Sequence, residues 1–137
     1  MKLRTIIAIA CLATAVPGGV AAQGGQSETV VPRFNRAIPN IPGKSVVAVE
    51  VDYAPGQASK PHMHAKSAFI FAYVISGEIE SKVNEGQVHV FKAGESWSEA
   101  PGAVHWISRN ASKTRPAKLL AVFVVDSTDS ALTRPVE

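Results

Sequence analysis

KPHMHAKSAFIFAYVISGE, residues 60–78, sets His62 and His64 one residue apart and follows them with thirteen residues, Ala65 to Gly77, that contain no carboxylate. Successive side chains of an extended strand point to opposite faces, so these two histidines emerge on the same side. Downstream, Phe69, Phe71 and Tyr73 alternate with Ile70, Ala72 and Val74, a period of two that reads as a strand. Two imidazoles so spaced are a usual beginning of a metal site. The acid that often completes one is missing.

The same period extends on both sides. Val47, Val49, Val51 and Tyr53 alternate with Ala48, Glu50 and Asp52 up to a Pro55-Gly56 turn. Strands are predicted over 68–75, 78–83, 88–91, 103–109 and 117–125, with turns at Asn84-Glu85-Gly86, Lys92-Ala93-Gly94 and the polar residues 110–115. Short strands punctuated at this interval predict an all-β sandwich or barrel. No stretch carries a helical period. The expected barrel domain is residues 43–126, preceded by a flexible or extended segment, 23–42, whose Pro32, Pro39 and Pro42 exclude a long helix. Residues 127–137 read as a polar tail, disordered or forming one helical turn.

At the amino end, Lys2 and Arg4 precede an apolar stretch, Ile6 to Val16, and small residues at Val20-Ala21-Ala22. This is the pattern of a signal peptide, residues 1–22, and predicts a periplasmic or secreted protein with no membrane attachment after cleavage. The one cysteine, Cys11, lies in that leader, so the mature chain needs no disulfide and must rely on its core. Loss of Lys2 and Arg4 lowers the formal charge from +3 to +1. With no basic cluster interleaved with aromatics, nothing suggests nucleic acid as a partner.

A third histidine, His105, lies in a later strand after Pro101-Gly102. Interior positions of different strands converge in a closed barrel, and three neutral imidazoles can hold a divalent ion while leaving positions open for substrate. Iron, manganese, nickel, copper and zinc all suit such a set.

These residues resemble the cupins, small barrels of the jelly-roll (double-stranded β-helix) type. The family's first motif, G-x5-H-x-H-x(3,4)-E-x6-G, is matched by Gly56, His62, His64 and Gly77; its second, G-x5-P-x-G-x2-H-x3-N, by Gly94, Gly102 and His105. The resemblance implies a jelly-roll barrel and a metal-ligating role for His62, His64 and His105. Three departures stand out. Ala68, Phe69 or Ile70 occupies the glutamate slot, Pro101 falls one place after the proline slot, and Asn110 arrives one residue late. The expected ligand set is therefore neutral, which favours an anionic substrate on the metal.

Glu99, just before the turn that leads to His105, is a candidate replacement acid or general base, and Lys66 a candidate anchor for an anionic ligand. If Ile70 faces inward, the pocket is lined by Ile70, Ala72 and Val74 with Ile107, while Phe69, Phe71 and Tyr73 face another sheet or a second subunit. That aromatic face predicts a homodimer. Trp97 and Trp106 are expected to pack, and His89 to be solvated. The function expected by resemblance is a metal-dependent dioxygenase of a small anionic or aromatic molecule. A metal-dependent isomerase or lyase, or a module that binds a small ligand or metal without turnover, fits the same residues.

Overall fold

The computed structural model describes residues 28–136; the expected signal peptide lies outside them. Ten strands follow in order: β1 (Thr29–Ala37), β2 (Lys44–Tyr53), β3 (His62–His64), β4 (Phe69–Ser76), β5 (Glu78–Val83), β6 (His89–Lys92), β7 (Ser96–Glu99), β8 (Val104–Asn110), β9 (Ala117–Asp126) and β10 (Thr133–Pro135). No helix occurs among the described residues. Two antiparallel sheets, β1-β2-β9-β4-β7 and β10-β3-β8-β5-β6, form the two layers of a jelly roll.

Alternation in the sequence decides what each layer buries. In β9, Ala117, Leu119, Ala121, Phe123 and Val125 are buried while their neighbours are half-exposed. In β4, Ile70, Ala72 and Val74 point inward and Phe69, Phe71 and Tyr73 outward. These inward residues join Val49, Val51 and Tyr53 of β2 and Ile79 of β5 in one core. A single hydrophobic interior thus lies between the sheets, in keeping with a cysteine-free barrel.

Both flanking segments contribute strands. Residues 29–37, within the segment expected to be flexible or extended, pair with β2 as an edge strand, from Thr29 opposite Asp52 to Ala37 opposite Ser45. Pro32 is tolerated there because an edge strand leaves one row of N–H groups unneeded, and the register shifts between Pro32 and Phe34. Within the tail expected to be disordered or helical, Thr133–Pro135 pairs with His62–His64. β7 also escaped the periodicity, since Ser96–Glu99 holds one apolar residue, Trp97, in four positions.

One crossing from the first sheet to the second, from β4 to β5, runs through Gly77 alone. Its φ is +73°, and a Cβ there would lie 2.6 Å from the Pro116 carbonyl oxygen and 2.8 Å from Ala117 Cα. Only glycine fits both the backbone angle and the space.

Candidate metal centre

β3 is three residues long and lies between β8 and β10, with His62 directly opposite His105. His64, two residues on, projects to the same side. The backbone N–H of His64 is held by the Ala103 carbonyl at 2.9 Å. The ring centroids of His62 and His64 are 4.9 Å apart, those of His62 and His105 5.4 Å, and those of His64 and His105 6.0 Å. One nitrogen from each ring lies within 4.8 Å of the others. Nitrogens around one ion lie about 3–3.5 Å apart, a difference that small ring rotations span.

His62 Nδ1 is 2.8 Å from the Lys60 carbonyl oxygen. A carbonyl can only accept, so Nδ1 carries the proton and the lone pair of the neutral ring sits on Nε2. His105 Nε2 is 2.8 Å from Ser81 Oγ.

Glu99 enters the same space from β7, where it pairs directly with Ile70 of β4. Residues opposite each other in an antiparallel ladder project to one face. The carboxylate is 3% exposed. Its Oε1 accepts from Trp97 Nε1 at 2.9 Å and lies 3.4 Å from His105 Nδ1, and its Oε2 lies 2.8 Å from His64 Nε2. That last approach is close but not aligned as a hydrogen bond. Glu99 Oε2 and both nitrogens of His64 are thus buried without a hydrogen-bond partner.

Burial lowers the affinity of His105 for a proton far more than the Glu99 charge restores it, leaving a pKa of about 4. Burial also lowers His62. Burial pushes Glu99 the other way, upward, but the contact with His64, the charges of His105 and His64 and the Trp97 hydrogen bond together hold it below the ordinary carboxylate range. At neutral pH the arrangement is a buried carboxylate beside the neutral imidazoles of His62 and His105, with one carboxylate oxygen and both nitrogens of His64 left without a hydrogen-bond partner. Buried charges require a partner, and a divalent cation fits this donor set.

The centre lies in a cavity of about 740 Å³ whose lining includes His62, His64, His105, Glu99, Ile70 and Ala72. Ile70 and Ala72 take the positions expected of them. Val74 is fully buried but belongs to the core and does not line the cavity. Ile107 is turned away. Lys82 pairs with Ile107 and Val83 with His105, so Trp106 is an extra residue in β8. This bulge resets the alternation, and Ser108 takes the inward position in place of Ile107. Lys66 lies beyond the end of β3, is exposed and does not line the cavity.

The bulge also accounts for the late asparagine. Asn110 remains buried, and its Nδ2 reaches the carbonyls of Ala54 at 3.1 Å and Arg115 at 2.7 Å while Oδ1 accepts from Ser112 N at 2.8 Å. Trp97 packs, stacked on Phe91 at a centroid distance of 4.4 Å. Trp106 and His89 are exposed.

The cavity also contains groups outside the two motifs. Tyr53 Oη is 2.7 Å from Ser59 Oγ and 2.8 Å from Ser108 Oγ, a hydroxyl cluster on the wall. Glu28, Lys60 and Arg134 line it as well. Tyr53 was legible as the last inward residue of its strand. Ser108 depends on the bulge, and Arg134 on the unforeseen β10.

A two-sheet β barrel that gathers three histidines from an H-x-H strand and its neighbour defines a class of small barrels with a candidate metal site. A family model for the cupin domain matches residues 49–123, and the chain belongs to that family. Among curated proteins, a germin-like protein of subfamily 2 from Arabidopsis thaliana is 32% identical over 90 residues, 63% of this chain and 40% of the relative. The chain therefore spans well under half the length of that relative. Among solved structures, a double-stranded β-helix protein from Klebsiella pneumoniae superposes with a TM-score of 0.62 at 24% identity, over 82% of this chain and 89% of that one. An oxalate oxidase in complex with the substrate analogue glycolate gives 0.53 at 28% identity, over 58% of this chain and 42% of the other.

Proposed function

We propose that the chain is an exported, divalent-metal-dependent oxygenase of a small anionic molecule, with His62, His64 and His105 as metal ligands. The observation that carries this reading is the convergence of the three imidazoles, with both nitrogens of His64 lacking a hydrogen-bond partner, on one cavity. The bound metal would supply Lewis acidity and sites for substrate and oxygen. The chain's own residues do the rest. Burial keeps His62 and His105 unprotonated and available as ligands. Val49, Val51, Ile70, Leu119 and Phe123 exclude water from the walls. The hydroxyls of Tyr53, Ser59 and Ser108 offer hydrogen bonds to a polar group on the bound molecule.

A volume of about 740 Å³ falls within the range of small-molecule sites and exceeds the needs of a two-carbon acid. The resemblance to an oxalate oxidase supports carboxylate chemistry; the cavity favours a carboxylate with an apolar body. A homodimer formed through the outer face of β4 belongs to the same proposal.

The test is metal analysis of protein purified from its native compartment, joined to an oxygen-uptake screen over small aromatic and aliphatic carboxylates. Bound iron or manganese with substrate-dependent uptake supports the reading. Stoichiometric metal and ligand binding without uptake or product overturns the oxygenase and leaves a binding module. No retained metal, with parent-like behaviour of His105→Ala, overturns the metal site itself.

A further inference from the structure

We infer that Glu99 has taken over the role of the carboxylate that Ile70 cannot supply, completing a three-histidine, one-carboxylate ligand set from the neighbouring strand. The inference rests on the metal reading above and adds a residue at a position that neither motif specifies. Ile70 occupies the slot from which the family motif directs a glutamate inward, and Glu99 is its direct partner across the β4–β7 ladder. Side chains so paired start about 4.5–5.5 Å apart at Cβ and share one face. A carboxylate can therefore reach the same interior from either strand.

Three observations place Glu99 at the centre and not merely near it. It is as buried as the histidines it touches, at 3% exposure against 6% for His64 and 4% for His105. Its two oxygens address two different imidazoles, at 2.8 Å and 3.4 Å. Trp97 Nε1 holds one oxygen at 2.9 Å, while the other is buried with no hydrogen-bond partner and faces the equally orphaned His64 Nε2. A surface carboxylate would have water, and a purely structural one would have both oxygens satisfied. On this inference the ligand set is anionic, where the sequence led to the expectation of a neutral one, and a divalent ion in it retains one net positive charge.

Manganese and zinc affinities, measured by isothermal titration or competition with a chelating dye, test this without reference to turnover. Glu99→Gln keeps an acceptor for Trp97 and removes the charge; it should weaken binding about tenfold or more. Adding Ile70→Glu to that variant moves the carboxylate across the ladder and should recover most of the loss. Circular dichroism establishes folding. Unchanged affinity in folded Glu99→Gln, or no recovery in the folded double variant, overturns the assignment. If Glu99→Gln alone does not fold, the double variant decides: parent-like affinity supports the assignment and loss of binding overturns it. A parent protein that binds neither ion overturns instead the three-histidine reading beneath it.

Discussion

His105 is a buried imidazole, and its displacement from an ordinary 6.5 to about 4 sets a pH dependence on the fold. Between those values the unfolded chain takes up a proton that the folded chain refuses, so stability is fully present above pH 6.5 and declines as pH falls towards 4. The loss should reach about 3 kcal/mol. Urea melts of chelator-treated protein at pH 7 and 4.5 measure it, and His105→Gln should flatten the slope; an unchanged slope would show that another group titrates. At this scale the sequence was informative where one strand sufficed. The H-x-H spacing announced His62 and His64, and the second motif announced His105. Glu99 could be suspected but not assigned, because its closeness to Ile70 is a pairing of β7 with β4 that no local pattern encodes. Ile107 was misplaced because alternation counts residues and cannot see that Trp106 is extra.

Among the elements, the single-residue crossing at Gly77 is the least forgiving. Alanine there would meet the backbone of Pro116 and Ala117 at a positive φ, so Gly77→Ala should destabilise by roughly 2–4 kcal/mol or prevent folding. Equilibrium denaturation provides the number, and a loss below about 1 kcal/mol would mean that the crossing relaxes. β10 carries a different burden. It pairs with the histidine strand, and Leu132 to Pro135 line the cavity. A chain ending at Ala131 should still fold, because the core lies in β2, β4, β5 and β9, but it should lose metal to a chelator faster than the full chain. The amide of Ala65, bonded to the Leu132 carbonyl at 3.1 Å, should also exchange faster with deuterium. Equal rates in the two chains would remove β10 from the site. Long alternating strands were legible from the sequence. β7 and β10 were not, since four and three residues hold too little period to rise above a loop.

For the molecule as a whole, one outer face remains apolar. Phe69, Phe71 and Tyr73 are 47%, 42% and 37% exposed, and their partners across the ladder are Val124, Val122 and Leu120. Patches of this kind commonly mark contact surfaces, which is the basis of the homodimer proposed above. Light scattering at micromolar concentration should give a dimer, and Phe71→Glu should shift it to monomer with the fold intact. A monomeric parent would reject the interface. The all-β architecture was readable in advance because β4 and β9 alternate cleanly and β2 over part of its length, whereas the partners of β3 were not. Those partners have a further consequence, in time. His62 meets His105 of β8 and Pro135 of β10, which leave the ribosome more than forty and more than seventy residues later. The nascent chain therefore carries its first two histidines through more than forty further residues before either neighbouring strand is present to pair with theirs. On the metal reading proposed above, acquisition would follow completion of the polypeptide, and the ion available where the finished barrel closes would decide which one the site receives.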